Sequence, residues 1–318
     1  MTAWPNQGEA WRQWRDALGG ERMHHGWLLA GKSGLGKRDF ALAAARELVA
    51  EPGVPQPSGD HPDIIVLTYG PKDDKAEKAQ ADGKPFELAR SIRIKQIRAM
   101  QRRLITRPTL GNRRAIIIDP ADDMEKAAAN ALLKSLEEPP AGTFFLLVTH
   151  RPARLLPTIR SRCRTLRFPV LTDRQIAAML DDAGVPPDPA AIAAAEGSFG
   201  AALRFAEQDL VPIARVIDAL LAGGDATFAG RGELARLIGP RADRERVQAV
   251  LDLAQGLVAR AARKTGDAPQ RERLIDAHGA LVNLAAEVPT ANFDPGMLPF
   301  EIGSLLVAAA PASEPAHG

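Results

Sequence analysis

Four short stretches of this chain are apolar almost along their whole length: Gly26–Ala30 (GWLLA), residues 64–68 (IIVLT), residues 115–119 (AIIID) and Thr143–Thr149 (TFFLLVT). Strands of a parallel sheet read this way because helices cover both faces of the sheet. Between the runs the spacing becomes helical. Trp11, Trp14 and Leu18 share one face of a leading helix over residues 4–18, which Gly19 and Gly20 end, and residues 39–50 are rich in Ala and Leu. Strands alternating with helices predict an α/β domain over residues 1–168.

After Phe168 and Pro169 the strand-like runs stop. Thr172 and Asp173 open a helical pattern, Pro186, Pro187 and Pro189 separate it from the next, and residues 197–200 (GSFG) start another. These predict a small helical domain over residues 169–210. Periodic Ala- and Leu-rich segments broken at Gly223/Gly224, at Gly239/Pro240 and near Pro289 predict a third, all-helical domain over residues 211–308, and residues 309–318 (AAPASEPAHG) read as a disordered tail. The charged stretch 70–88, with Lys72, Asp73, Asp74, Lys75, Glu77 and Lys78, reads as a mobile surface loop.

Composition changes this picture little. The 318 residues exceed one average domain, and 41 Lys and Arg against 39 Asp and Glu leave a net charge of +2, which argues neither for nor against nucleic acid as a partner. Cys163 is alone, so an intramolecular disulfide and a cysteine-rich zinc site are both excluded. The N-terminal residues carry no secretory pattern and no run of about 18 apolar residues occurs. A soluble cytoplasmic protein without membrane contact is expected.

Residues 31–38 (GKSGLGKR) have the spacing G-x-x-x-x-G-K-[ST] between a strand and a helix. Such a loop, here with Gly31, Gly34 and Gly36, cradles phosphates on backbone N–H groups while its lysine, Lys37, reaches the outer phosphates. Arg38 breaks the pattern, because the motif wants a hydroxyl there for magnesium and arginine cannot ligate a cation. In AIIIDP, Asp119 stands where a strand-end acid orients the magnesium shell, but Pro120 replaces the acid that polarises water. Asp122 and Asp123 read as caps of a helix starting near Met124. Nucleotide binding, as inert ATP or ADP, is left open, and no cofactor is required.

Residues 130–140 (NALLKSLEEPP) and 149–163 (THRPARLLPTIRSRC) resemble two signature boxes of AAA+ clamp-loader subunits. The resemblance implies a P-loop AAA+ domain with a parallel sheet, a helical lid and a helical collar that joins subunits. It assigns Thr149 as the sensor of the γ-phosphate, Arg162 as an arginine finger placed in a neighbour's ATP site, and Lys134 as a lysine facing that same site. The second sensor arginine of active members aligns with Gly200. The magnesium hydroxyl, the water-orienting acid and the second sensor are all absent, whereas the residues that act on a neighbour are present. That asymmetry implies a non-hydrolysing stator with gamma/tau-type and delta-type partners in a hetero-pentamer, touching the sliding clamp weakly or indirectly. The alternative is a weakly active gamma/tau-type ATPase; a free-standing DNA-binding regulator fits the boxes less well.

Many members carry a four-cysteine zinc module after the P-loop, but residues 51–63 here contain no cysteine, and His61 reads as a loop residue, so no zinc or other metal is expected. Residues 90–107 hold seven basic residues and no acid, with Ile94, Ile97, Met100, Gln101 and Leu104 on one helical face and Lys95, Arg98 and Arg102 on the other. The resemblance turns that face toward primed DNA, where its contacts would be sequence-independent and salt-sensitive; a solvated basic face is the plainer reading. No nucleophile with an adjacent base and no nuclease or polymerase metal cluster emerges, so the chain itself is not expected to make or cut DNA.

Overall fold

Five parallel strands form one sheet in the order β2-β3-β4-β1-β5. The structure is a computed structural model, and it describes residues 4–20, 23–240, 242–288 and 296–311. The chain divides after Val170 into two compact units. The first unit runs α1 (Gly8–Gly19), β1 (Gly26–Ala30), α2 (Lys37–Val49), β2 (Ile64–Leu67), α3 (Asp74–Ala81), α4 (Ile94–Arg103), β3 (Arg114–Ile118), α5 (Lys126–Glu137), β4 (Thr143–Thr149), α6 (Pro157–Arg160) and β5 (Arg164–Arg167). The four apolar runs are β1 to β4. The fifth strand was not legible in the sequence, because three of its four residues, Arg164, Thr165 and Arg167, are polar and exposed and only Leu166 is buried.

Side chains alternate across the sheet. Leu28, Ile65, Ile116, Ile118, Phe145 and Leu147 pack under Ile97 and Met100 of α4, Leu104 just after it, and Ala128, Leu132 and Leu136 of α5. Trp27, Leu29, Ile117, Leu146 and Val148, also buried, face the other way, where α2 lies on the sheet. The leading helix α1 is held on that side by aromatic contacts: Trp14 meets Trp27 and Phe40 at centroid distances of 5.3 and 6.5 Å, and Trp11 meets Phe40 at 4.3 Å.

The base of the sheet is tied by a buried ion pair that the sequence did not single out. Asp63, at the start of β2, accepts backbone N–H groups of Thr109 and Leu110 at 2.7 and 2.8 Å and faces Arg114 of β3 at 3.7 Å. The Arg114 guanidinium donates to the carbonyls of Arg103, Thr106 and Arg107 at 2.7, 3.1 and 2.8 Å, so one side chain pins the whole turn after α4.

The stretch read as a mobile loop is folded. Asp73 caps α3 by accepting from the Ala76 amide at 2.8 Å, and an antiparallel bridge between Pro71 and Leu88 closes its neck. Local capping and a closed neck hold it where composition alone suggested none.

The second unit contains α7 (Asp173–Asp182), α8 (Pro189–Ala195), α9 (Phe199–Glu207), α10 (Val211–Gly223), α11 (Ala229–Ile238), α12 (Arg244–Lys264), α13 (Ala268–Glu287) and α14 (Leu298–Ala308). Thr172 caps α7, as the sequence signal required, and with Gln175 it forms a reciprocal capping box. Sequence breaks divided this region at residue 210, but its packing is continuous: Ala191 and Ala194 of α8 and Phe205 of α9 share one core with Ile213 and Ile217 of α10, Leu257 of α12 and Leu306 of α14. Gly256 makes this possible, since a β-carbon there would lie 2.3 Å from the Ala194 carbonyl oxygen. Ala309 and Ala310, assigned to the tail, are buried; the rest of that tail from residue 312 lies outside the described residues, as does Pro289. Among the described residues no helix is long and apolar enough to cross a membrane.

Candidate functional site

Parallel strands bring the turns that follow them to one edge, the usual binding crevice of an open α/β sheet. In register, Ala30 of β1 lies beside Thr149 of β4, and Ile118 of β3 beside Leu147. The Gly-rich loop, Asp119 and Thr149 therefore meet at the C-terminal end of the sheet. Gly34 and Gly36 take φ of 75° and 70°, the left-handed region that glycine enters without strain, and Gly36 immediately precedes the first turn of α2. The Trp4 indole lies against Gly36, with an ideal β-carbon position only 2.1 Å from its ring, and donates to Asp39 at 3.1 Å.

Lys37 is buried and folds back on its own loop, donating to the carbonyls of Gly31 and Lys32 at 2.6 and 2.5 Å. Burial lowers its pKa to about 8, against the opposing pull of Asp119 and Asp122. Arg38 turns its guanidinium to Asp119, 3.6 Å away. A side-chain cation thus lies beside the acid that would order a magnesium shell. Burial raises the pKa of Asp119, with Arg38 and then Lys37 opposing the rise. Pro120 follows through a cis peptide bond and offers no acid.

The two following aspartates do not cap α5, whose N-cap residue is Glu125 and makes no side-chain cap bond. Asp122 instead accepts the backbone N–H groups of His150 and Arg151, both at 3.1 Å, and Asp123 accepts the Tyr69 hydroxyl at 2.5 Å. A short 3-10 turn at residues 121–123 separates them from the helix and points them at neighbouring loops, which sequence spacing could not reveal. Thr149 is fully buried, and its hydroxyl has no hydrogen-bond partner among the described residues. Burial, then the charge of Lys37, lowers the pKa of His150 to about 4, so its ring is neutral at physiological pH.

Arg162 and Lys134 stand at the opposite end of the sheet. Trp27 pairs with Arg164, and the Arg162 carbonyl oxygen approaches Gly26 so closely that a β-carbon there would lie 2.8 Å from it. The strand between this point and the Gly-rich loop, β1, has five residues, which places the two roughly 13–17 Å apart at about 3.3 Å per residue. Arg162 pairs with Glu137 at 2.7 Å and donates to the Thr158 carbonyl at 3.0 Å. Lys134, one helical turn before Glu137 on α5, is exposed beside a shallow hollow of about 380 Å³ with Gln101, Ile105 and Glu138. Cys163, next to Arg162, has its pKa pushed up to about 12 by burial, which leaves an inert thiol.

On α4, Lys95, Arg98 and Arg102 form one exposed stripe while Ile97 and Met100 are buried, as the periodicity required. Lys95 is paired with Glu77 of α3 at 2.8 Å. His61 is a loop residue: its Nδ1 accepts from the Asp63 amide at 3.0 Å and its Nε2 lies 2.9 Å from Gln56 Oε1. No cluster of three or more His, Cys, Asp or Glu among the described residues is arranged to hold a metal ion. In the second unit, Gly200 lies in the first turn of α9 and contributes no side chain there. Tyr69 and His150 were missed by sequence reading, since neither sits in a spacing that marks it.

The family model described as DNA polymerase III, delta subunit matches residues 6–172. The DNA polymerase III subunit delta' of Pseudomonas aeruginosa is 37% identical over 173 residues, covering 50% of this chain and 47% of the relative. That of Bacillus subtilis is 35% identical over 178 residues, covering 52% and 49%. The DNA polymerase III subunit tau/gamma of Haemophilus influenzae is 30% identical over 202 residues, covering 61% of this chain and 28% of the relative. The matched part of the chain spans about half the length of its delta' relatives. With a five-stranded parallel P-loop sheet and a match over more than half of its residues, the chain belongs to the DNA polymerase III delta subunit family.

Proposed function

We propose that this chain is a non-hydrolysing subunit of a clamp loader, supporting ATP-dependent loading of a sliding clamp onto primed DNA. In this reading it joins gamma/tau-type and delta-type subunits in a hetero-pentamer. It lends Arg162, with Lys134 beside it, to the ATP site of a neighbour.

The observation that carries this reading is the separation of the two groups of residues. The loop that would hold nucleotide has Arg38 paired to Asp119 where a hydroxyl and magnesium would act, and Pro120 where water would be polarised. Arg162 lies a strand's length away at the other end of the sheet, out of reach of its own loop. A guanidinium so placed cannot serve its own nucleotide loop, which supports a role in a site formed by another chain. Its planar fork suits a phosphate whose charge grows as the bond breaks. The exposed stripe Lys95, Arg98 and Arg102 supplies a phosphate-binding face for the DNA.

The test is reconstitution with gamma/tau-type and delta-type subunits, followed by an assay of DNA-stimulated ATP hydrolysis. The chain alone should show no turnover, and the complex should need it for full rate. Turnover by the pure chain that disappears in Lys37→Ala would overturn the proposal in favour of a weak gamma/tau-type ATPase.

A further inference from the structure

The helical insertion between β2 and α4 makes a contact that the function above does not use. Glu77 of α3 holds Lys95 with both carboxylate oxygens, at 3.0 and 2.8 Å, and these bonds, then its charge, raise the pKa of that lysine, with Asp74 adding to the rise. Arg93, at the N-cap of α4, donates to the Lys72 carbonyl at the neck of the insertion. The neck is closed by Lys72 N–H to Glu87 O at 2.8 Å and Ala89 N–H to Gly70 O at 2.6 Å. The other cations of the α4 stripe, Arg98 and Arg102, are exposed and have no ion-pair partner among the described residues. One end of the stripe is thus occupied by an internal anion and the rest is not.

We propose that α3 is a displaceable anionic flap, in which Glu77 takes the place of a nucleic-acid phosphate on Lys95 until phosphate displaces it. The inference rests on the reading of α4 as a DNA-binding face. The flap is built to yield: of its eight residues only Ala76 is buried, and a helix this short has little stability of its own away from its contacts. An exposed ion pair is weak and exchanges readily for a stronger anion. The neck keeps the flap attached while α3 moves, since its backbone hydrogen bonds and the Arg93 contact do not involve Glu77. Free chain therefore presents a weakened face, and a backbone phosphate that reaches Lys95 adds one contact as it releases the flap.

The experiment measures binding of a fluorescein-labelled primer–template duplex to the full chain by anisotropy across a salt series. It is paired with hydrogen exchange of the residue 74–81 amides with and without the duplex. Glu77→Gln should bind several-fold more tightly at low salt. Adding duplex to wild type should speed exchange in α3. Asp82→Asn removes the same charge from the insertion but at Lys84, and should leave affinity near wild type. Lys95→Ala should cost less than Arg98→Ala in the wild-type background and as much as it in the Glu77→Gln background. If Glu77→Gln superimposes on wild type while Arg98→Ala weakens binding, the flap is refuted and the DNA face stands. If Asp82→Asn tightens binding as much as Glu77→Gln, the effect is net charge and the flap is again refuted. If Arg98→Ala and Arg102→Ala leave binding unchanged, the DNA face itself falls and the flap with it.

Discussion

Arg162→Ala separates a role in a neighbour's site from a role in this chain's own stability. Its partner Glu137 and Arg162 itself are 49% and 35% exposed as side chains, so their ion pair falls in the range of about 0–1 kcal/mol for solvent-screened pairs. The bond to the Thr158 carbonyl closes a turn already held by backbone hydrogen bonds, among them Ser161 N–H to Pro157 O at 2.9 Å. Removing the side chain should cost about 1 kcal/mol, a fall in Tm of about 2–4 °C for a unit of this size. An arginine finger contributes about 10³ to 10⁵ in rate to the site it enters. Arg162→Ala should therefore melt almost like wild type and join the complex, while hydrolysis at the adjoining site is lost from DNA-stimulated turnover. Arg162→Lys should rescue little, since an ammonium lacks the planar fork, and Glu137→Gln, which frees the guanidinium, should keep full turnover. Differential scanning calorimetry and steady-state ATP hydrolysis of the reconstituted complex measure the two sides. A mutant that melts far lower with turnover unchanged would make Arg162 a structural residue and refute the argument.

Arg114→Ala should destabilise the first unit by about 3–5 kcal/mol, because it leaves the fully buried Asp63 without its counter-charge and three carbonyls without their donor; a urea midpoint that barely moves would contradict this. Lys37 titrates at about 8 when folded against 10.5 ordinarily. Between those values the unfolded chain binds the extra proton, so its contribution to unfolding free energy rises with pH across that window. Lys37→Met should flatten the rise by an amount on the order of 1–3 kcal/mol, and parallel stability curves for the two proteins would show that the lysine is not buried in solution. Truncation after Val170 should leave a cooperatively melting α/β unit, whereas truncation after Leu210 should leave α8 and α9 without the core they share with α10 and α12 and promote aggregation; a well-behaved 1–210 fragment with a second melting transition would restore a domain boundary there.

The four apolar strands β1 to β4, the Gly-rich loop and the basic stripe of α4 were legible because each rests on a local regularity. Strands covered on both faces must be apolar throughout, a tight phosphate-type turn needs glycine at positive φ, and a helix lying on a sheet must keep a period near 3.6. The helix start at Thr172 and Asp173 is equally local. The absence of a hydroxyl at Arg38 and of an acid at Pro120 is a matter of residue chemistry, and needed no fold to be seen.

Tertiary structure decided what these residues do to each other. That Arg38 reaches Asp119, 81 positions further along the chain, follows from β1 and β3 lying on either side of β4 in one parallel sheet. The edge strand β5, with one buried residue in four, exists only because β1 offers it a ladder. Asp122 and Asp123 look like helix caps in sequence but satisfy loops from other elements. The insertion at α3 is ordered by a neck whose two sides are 17 residues apart, and α8 and α9 join the following helices in one core because Gly256 lets two backbones touch. Pairings of this kind have no sequence period, since they depend on which distant surfaces the sheet and the shared core bring within a few ångströms.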